Sequence, residues 1–303
     1  MKKLLALLLA LTMVLALAAC GAADNTNTAE EPAETAEAAD AADTTEPAEA
    51  GEADAADTTE PAEAGEADAA ELPTIEAGKL IMATNAAFPP YEMVADDEGV
   101  AGTGFEGIDV EIAVALAEKV GLQLQIDDME FDSALAAVQN GKADMVLAGL
   151  TYTEERDQLM DFSDPYAQGV QVVIVKEDSA IQSADDLANA ELIGTQRGTT
   201  GYIYCTGDYG EDHVSAYDNG AAAVQALING QVDCVVIDKM PAQTFVAENE
   251  GLKILETSYV VEDYVLAVNE GATELQTALN NALNELKADG TLQSIVDKYI
   301  TAE

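Results

Sequence analysis

The chain has 303 residues, of which 58 are acidic and 12 are basic, so its formal net charge at pH 7 is -46. This balance excludes nucleic acid as a partner, because phosphate binding needs clustered Lys and Arg. It also argues against attachment to an anionic membrane surface by charge. Among the basic residues only Arg156 and Arg197 are arginines, which makes their positions informative.

The first twenty residues have the layout of a secretory signal peptide. Lys2 and Lys3 precede an apolar run from Leu4 to Ala19, which is a little shorter than a membrane span of roughly 17 to 25 residues. The run ends at Cys20 after small residues, and this ending resembles a bacterial lipobox. The resemblance implies that Cys20 becomes the lipid-modified first residue of the mature protein. The alternatives are an uncleaved anchor and an ordinary signal peptide with a chance cysteine.

Residues 21–71 contain only Ala, Asp, Glu, Gly, Asn, Pro and Thr, and the unit ADAADTTEPAEAGE occurs at 39–52 and again at 53–66. Without large apolar residues such a segment cannot bury enough surface to offset the entropy of ordering it. Its like charges repel one another and extend the chain. The sequence therefore predicts a disordered acidic tether. A helical Ala/Glu spacer is the alternative, and the prolines in the segment weaken it.

From residue 72 onward, short apolar strands alternate with amphipathic helices. The first half predicts strands at 79–84, 122–126 and 144–150, separated by helices at 109–120 and 133–139. This β-α-β-α-β order predicts an open parallel sheet covered by helices.

The alternation repeats in the second half of the chain. The predicted strands lie at 169–175, 191–196, 213–217, 233–238 and 263–269. The predicted helices lie at 183–190, 221–228, 274–287 and 292–300, with a loop entering a further helix at GTTGYIY. Two α/β units suggest two lobes with a cleft between them. Ligands of such sheets bind outside the carboxyl ends of the strands.

Distinctive residues follow four of the predicted strands. The loop NAAFPPYEM follows the first strand, GLTYTEER and RGTTGY follow two others, and Asp238 ends a fourth. A zwitterionic amino acid needs a cationic fork for its carboxylate, an acid for its ammonium and an apolar surface for its stem. The four strand ends offer these groups together, so the sequence indicates an amino-acid binding site.

Several motifs match a known family. The clearest is GIDVEIAVALAEKV, and it is accompanied by FPPYE, MEFDSALAAVQNGKADMVLAGLTYTEER, DFSDPY, GTTG and KADGTLQSIVDKY. Over residues 75–303 the chain thereby resembles the extracellular solute-binding proteins, family 3, which serve ABC importers of polar amino acids. The resemblance implies an α/β periplasmic-binding-protein type II fold, in which two lobes close on the ligand around a two-strand hinge.

The resemblance also implies domain limits and partners. Lobe 1 would comprise 72–168 and 265–303, lobe 2 would comprise 169–264, and the hinge would cross near 166–169 and 260–264. The protein would be a monomer without cofactor or metal, lipid-anchored on the outer face of the bacterial cytoplasmic membrane. It would capture a polar amino acid and deliver it to the transmembrane subunits of an ABC permease with their ATPase.

The family motifs assign the carboxylate end of the ligand to three residues. Arg156 would hold the α-carboxylate with its bidentate guanidinium. Thr199 and Thr200 would add donors at the positive end of a helix dipole. The alternative for Arg156 is a surface ion pair with an acidic neighbour at 154, 155 or 157.

The ammonium end and the stem of the ligand are assigned in the same way. Asp238 would accept the α-ammonium, helped by the Gly149 carbonyl and the Thr151 hydroxyl. Phe88 and Phe131 would cover the side-chain stem. The alternative for Asp238 is a helix N-cap, a role that can coexist with binding. Phe131 could equally be an ordinary core residue.

Three residues bear on the choice of ligand. Asn85 stands where relatives that bind glutamine or basic amino acids often place an acid, and Gln196 is expected to face the ligand side chain. Arg197 either points at solvent or meets a carboxylate of the ligand. These features favour a polar, uncharged or acidic amino acid. Equal or tighter binding of arginine or lysine would contradict this hypothesis.

The cysteines and the histidine give little support for a disulfide, a metal site or catalysis. An exported protein permits a disulfide, but Cys205 in a helix and Cys234 at the far end of a strand are expected to lie too far apart. A free-thiol count would decide. His213 is the only histidine, so a histidine metal site or Ser-His catalysis is not expected.

Two further functions compete with the binding role. The first is an enzyme on the same fold, either dehydratase-like or cell-wall-cleaving, which would need an unpaired acid in the cleft. Glu92 is the one motif-borne candidate for that acid. The second is a partner that presents its ligand to a separate chemoreceptor.

Overall fold

The structure is a computed structural model that describes residues 72–300. The predictions of a signal peptide, of lipidation at Cys20 and of an acidic tether lie outside the described residues. Within the described range no helix is both long enough and apolar enough to cross a membrane.

The strands form two main sheets and one small one. In the described range they are β1 (Lys79–Thr84), β2 (Ala87–Phe88), β3 (Glu92–Val94), β4 (Phe105–Glu106), β5 (Gln123–Asp128), β6 (Met145–Val146), β7 (Met160–Phe162), β8 (Ala167–Lys176), β9 (Ile193–Gln196), β10 (Val214–Tyr217), β11 (Cys234–Asp238), β12 (Leu252–Ile254), β13 (Val260–Tyr264) and β14 (Ala267–Asn269).

Helices cover the sheets. They are α1 (Ile108–Val120), α2 (Phe131–Gln139), α3 (Thr200–Tyr209), α4 (Gly220–Ile228), α5 (Lys239–Glu248), α6 (Thr273–Ala288) and α7 (Thr291–Tyr299). Short 3-10 helices lie at Val100–Gly102, Arg156–Gln158, Ala184–Asn189 and Glu211–His213. The segment predicted as a helix at 183–190 is thus a 3-10 helix.

The first main sheet has the strand order β5-β1-β6-β14-β7. β1 is parallel to β5 and β6, whereas β14 is antiparallel to β6 and β7. The three strands for which the sequence predicts a parallel sheet are β1, β5 and β6, and they are parallel. The antiparallel pair β14 and β7 completes the sheet on the β6 side.

The second main sheet has the order β10-β9-β11-β8-β12, and β13 also pairs with β8. β9, β10 and β11 are parallel, while β8 is antiparallel to β11, β12 and β13. The small sheet β2-β3-β4 was not predicted. It carries the FPPYE loop, whose strands are too short for a periodic signal.

The chain passes twice between the main sheets. It leaves the first sheet after β7, enters the second at β8, and returns between β13 and β14. The sequence predicted one strand at 263–269, but the structure divides it between the two sheets. Between β13 and β14, Val265 donates its N–H to the carbonyl of Leu150 at 2.8 Å.

Apolar clusters cover both faces of each main sheet. In β1, Leu80 and Met82 belong to one cluster whereas Ile81 and Ala83 belong to another. β11 alternates in the same way, with Val235 and Ile237 on one face and Cys234 and Val236 on the other. Burial on both faces explains why these strands read as continuous apolar runs. This packing also holds in place the strand ends that carry the predicted site residues.

The cysteines lie in one of these clusters. Cys205 and Cys234 share it, and both are buried and free. Burial raises the pKa of the Cys205 thiol to about 12, so the thiol stays protonated and unreactive at neutral pH.

Candidate ligand-binding site

A cavity with a volume of about 460 Å³, part of it open to solvent, lies between the two main sheets. The ten residues predicted to bind the ligand all line it: Asn85, Phe88, Phe131, Gly149, Thr151, Arg156, Gln196, Thr199, Thr200 and Asp238. Six described residues that were not predicted to bind the ligand also line it: Glu92, Ala148, Gln171, Val236, Ile237 and Tyr264. The strand ends of both sheets therefore meet at one site.

Arg156 is buried, with 7% of its surface exposed. Its guanidinium donates to the Thr151 carbonyl at 2.6 Å and to the Gly198 carbonyl at 3.0 Å. Its Cζ atom lies 5.6 Å from the centre of the Phe131 ring, a favourable cation-π distance. Within residues 72–300 no carboxylate forms an ion pair with it. The alternative of a surface ion pair is therefore wrong.

Arg156 keeps its positive charge although it is buried. Burial lowers the pKa of the guanidinium to about 10, and the negative charge of Glu262 opposes this effect. The group is thus protonated at neutral pH. A guanidinium has five N–H donors, and the carbonyls of Thr151 and Gly198 occupy only some of them. The others are available to a carboxylate in the cavity.

The hydroxyls of the GTT turn are engaged inside the protein. Thr199 donates its hydroxyl to the Gln196 carbonyl at 2.8 Å and accepts the N–H of Tyr202, which makes it the N-cap of α3. Thr200 donates its hydroxyl to Glu262 at 2.9 Å. What this turn can offer a ligand is therefore the set of backbone N–H groups in the first turn of α3, which have no partner within the helix.

Asp238 is an almost fully buried acid. Its carboxylate receives long hydrogen bonds from the Val170 N–H at 3.4 Å and from the Gln171 side chain at 3.5 Å. Burial raises its pKa to about 7, and a hydrogen bond with Tyr264 works against this rise. It stands at the N-cap position of α5 but makes no side-chain capping bond. An ammonium beside it would restore its ionised form.

Glycine is required at two points around this acid. Gly149 has a φ of +53°, and a Cβ there would lie 2.8 Å from Phe88. At Gly169 a Cβ would lie 2.6 Å from Asp238 and 2.5 Å from Tyr264. These glycines let an aromatic ring and a carboxylate approach the backbone closely.

Asn85 and Gln196 face one another across the cavity. Gln196 donates its amide to the Asn85 carbonyl oxygen at 3.0 Å, while its own carbonyl oxygen is buried without a partner in the described structure. Arg197 is exposed and lies 3.8 Å from Asp218. Arg197 therefore points at solvent, which is one of the two roles considered for it, and does not face the cavity.

Glu262 is a buried carboxylate that the sequence analysis missed. It accepts hydrogen bonds from Gln171 at 3.0 Å and from Thr200 at 2.9 Å. A signal was present, because residues alternate between the two faces of a strand. In β13 Glu262 and Tyr264 share the buried face, while Val261 and Asp263 are exposed.

This fold and cavity define a class. Two α/β lobes joined by two chain passages enclose a small site with a buried cation and a buried acid, which is the design of a receptor for a small zwitterionic solute. The family model for bacterial extracellular solute-binding proteins, family 3, matches residues 80–302. The chain belongs to this family.

Similar proteins bind several different amino acids. The probable histidine-binding protein of Neisseria gonorrhoeae is 32% identical over 237 residues, which cover 76% of this chain and 87% of that protein. The L-cystine-binding protein TcyJ of Escherichia coli is 29% identical over 231 residues, covering 75% and 85%. The solved structure of an ancestral arginine-binding protein bound to glutamine is 36% identical, covers 75% of this chain and all of that one, and has a TM-score of 0.69.

These likenesses confirm the predicted type II periplasmic-binding-protein fold and the predicted class of function. The chain is a substrate-binding component of an ABC importer for polar amino acids, and it acts outside the cytoplasm. The relatives are named as binding proteins and not as enzymes, so the enzyme alternative falls away.

Proposed function

We propose that the cavity binds the α-amino and α-carboxylate groups of a polar amino acid through the residues predicted from the sequence. One observation carries the proposal: all ten residues line a single cavity that holds a buried guanidinium and a buried carboxylate. The charged ends of a zwitterion match this pair.

The α-carboxylate pairs with Arg156 and with the first-turn N–H groups of α3. The α-ammonium pairs with Asp238, supported by the Gly149 carbonyl and the Thr151 hydroxyl. Such charge-assisted bonds are roughly twice as strong as neutral ones. The bond to the ammonium also relieves a cost of burial, since Asp238 is buried and its hydrogen bonds from Val170 and Gln171 are long.

The cavity lining is a poor match for a ligand with an acidic side chain. Among the described lining residues, Arg156 is the one cation, and Arg197 is exposed beside Asp218. A second ligand carboxylate would therefore be buried without a counter-charge, at a cost of several kcal/mol. The ligand is a polar amino acid whose side chain is not acidic.

The proposal extends to the lobes and their motion, and to the attachment of the protein to the membrane. The lobes are 72–168 with 265–303, and 169–264, and they turn about the passages near 166–169 and 260–264. Lipid on Cys20 anchors a monomer outside the cytoplasmic membrane, and residues 21–71 form the tether. The closed receptor docks on the permease. Support comes from the two chain passages between the sheets and from the lipobox-like ending of the apolar run.

Thermal unfolding tests the proposal directly. The chain from residue 21 onward, stripped of ligand by denaturation and refolding, is heated with each of the twenty amino acids and cystine at millimolar concentration. A ligand at about a thousand times its dissociation constant adds roughly 4 kcal/mol, a shift of roughly 8 to 16 °C for a domain of this size. One or a few large shifts are expected. A flat panel would contradict amino-acid binding.

A further inference from the structure

A pair of acids lies buried at the cavity. Glu92 in β3 lines the cavity and is 1% exposed, and Asp109 in α1 is fully buried. Asp109 accepts bonds through Oδ2 from the Gly149 N–H and the Tyr166 hydroxyl, both at 2.8 Å. Its Oδ1 and both carboxyl oxygens of Glu92 are buried with no donor among the described residues.

Burial and mutual repulsion disfavour ionisation of both acids. Burial raises the pKa of Glu92 well above its usual range, and the charge of Asp109 and a hydrogen bond with Asp109 raise it further. The other charged group that acts on Glu92 is Asp128, again an acid, and the phenols of Tyr91 and Tyr166 face it as well. These causes all favour the protonated form of Glu92, whose O–H can donate to Asp109.

The cavity has an unmatched end once a zwitterion is in place. The ligand carboxylate satisfies Arg156 and its ammonium satisfies Asp238. Among the lining side chains within the described range, the buried polar atoms left without a partner are the two carboxyl oxygens of Glu92 and the carbonyl oxygen of Gln196. These oxygens are acceptors, and Glu92 becomes negative when it ionises, so they suit a side chain that brings donors and positive charge.

We propose that Glu92 is the counter-ion for a positively charged, donor-rich ligand side chain such as a guanidinium, and that it gives up its proton when that side chain binds. The Glu92 O–H bond breaks, the proton passes to solvent, and the carboxylate forms an ion pair with the ligand. A guanidinium fits better than an ammonium, because its planar fork matches a carboxylate with two parallel hydrogen bonds. The inference rests on the proposed binding of an amino acid.

This inference departs from the expectation drawn from Asn85. The sequence lacks an acid at that position, which favoured an uncharged ligand. In the structure the Asn85 carbonyl oxygen is occupied by Gln196, and Glu92, from the same loop, supplies an acid to the cavity. The counter-charge is thus present but comes from a different residue.

Arginine and citrulline provide the test. Citrulline carries a neutral urea where arginine carries its guanidinium, so the two have nearly the same shape and differ in charge. Calorimetric titration of the ligand-stripped chain from residue 21 onward is expected to give at least tenfold tighter binding of arginine. Glu92→Gln should bring the two affinities within about threefold, chiefly by weakening arginine. Glu106→Gln, at an exposed position of the neighbouring strand β4, is the matched control and should change neither affinity.

Proton release is a second readout and needs no variant. Either ligand should displace the proton of Asp238 through its α-ammonium. Titrations between pH 6 and 8 in two buffers of different ionisation enthalpy should therefore detect up to one more proton released with arginine than with citrulline. Because arginine binds the deprotonated form of Glu92, its affinity should rise with pH until Glu92 is ionised in the free protein. Citrulline should show only the shallower rise that comes from ionisation of Asp238, so the ratio of the arginine affinity to the citrulline affinity should increase with pH.

The outcomes separate this inference from the proposed function. Citrulline binding as tightly as arginine, or an unchanged ratio in Glu92→Gln, would overturn the role of Glu92. Strong binding of a neutral amino acid with no response to arginine would do the same and leave amino-acid binding intact. No response to any amino acid would instead reject the proposed function.

Discussion

The two walls of the cavity differ in what they contribute. The first sheet and its loops supply side chains, among them the cation of Arg156 and the aromatic ring of Phe88. The second supplies backbone N–H groups at the start of α3 and the acid Asp238. In our proposal the ligand carboxylate and ammonium each touch both walls. Neither wall alone can satisfy either charged group, so tight binding requires both lobes together.

The walls also differ in how firmly their charges are held. The guanidinium of Arg156 makes bonds of 2.6 and 3.0 Å, whereas Asp238 receives bonds of 3.4 and 3.5 Å. Arg156 is thus already positioned, and Asp238 is the group that a ligand relieves. Substitutions on the two walls should therefore have different signatures.

The largest effect is expected for Arg156→Ala. It removes the buried cation and leaves the ligand carboxylate without its partner, so affinity should fall by about 3 to 5 kcal/mol. Calorimetry measures the change. The control is Arg197→Ala, which removes an exposed arginine and should alter affinity by less than about 0.5 kcal/mol. Equal losses in both variants would mean that the carboxylate binds elsewhere.

Asp238→Asn should weaken binding by about 2 to 3 kcal/mol, because a neutral amide lacks the charge that pairs with an ammonium. Without ligand the same change should raise the free energy of unfolding at pH 8, since it removes the need to bury a charge. Denaturant unfolding with and without ligand measures both effects. A variant that loses affinity and stability together would point to a structural role for Asp238.

The pH dependence of Asp238 follows from its shifted pKa. Folding raises this pKa from 3.8 to about 7, so the folded protein holds more protons than the unfolded chain between these values. Stability without ligand should therefore fall as pH rises from about 4 to 7, with a slope of up to about 1.4 kcal/mol per pH unit from this one group. The slope should be smaller in Asp238→Asn.

Gly149→Ala tests the close packing of the first wall. A residue with a Cβ is strained at a φ of +53°, and the added atom would meet Phe88 at 2.8 Å. We expect a loss of about 1 to 3 kcal/mol in stability together with weaker binding. Gly121→Ala is the matched control, because Gly121 is also left-handed but opens onto free space. That variant should cost about 1 kcal/mol in stability and leave affinity unchanged.

The smallest effect is expected for Glu262→Gln. Glutamine can still accept from Thr200 through its carbonyl, but the negative charge that acts on Arg156 disappears. A ligand carboxylate should then bind more tightly, by at most about tenfold, or about 1.4 kcal/mol. Asp263→Asn, at the exposed next position of β13, should have no effect. Weaker binding in Glu262→Gln would indicate that Glu262 positions the donors and does not compete for them.

Much of the helix pattern could be predicted from the sequence. Helices α1, α4, α6 and α7 lie within a few residues of their predicted limits, because apolar positions recur at helical spacing and glycine marks the ends. The strand ends were found for a similar reason, since buried parallel strands are continuous apolar runs. The predicted site residues follow from those ends together with the family motifs.

What could not be predicted depends on contacts between distant parts of the chain. The segment 263–269 reads as one strand, and only the positions of β8 and β6 divide it between two sheets. Burial of Glu92 beside Asp109 is equally invisible, because nothing local distinguishes a buried glutamate from an exposed one. The family pattern suggested an acid near residue 85, and tertiary structure brings one from residue 92.

Two hydrogen bonds of the described residues cross the cavity from one lobe to the other. Gln196 bonds to Asn85 at 3.0 Å and Arg156 to the Gly198 carbonyl at 3.0 Å. The opening of the cleft that we propose for release would break both, so we expect dissociation to be slower than contacts with the solute alone would dictate. The lifetime of the loaded receptor then depends on its own lobe-to-lobe bonds. A permease that pulls the lobes apart could unload different substrates at similar rates.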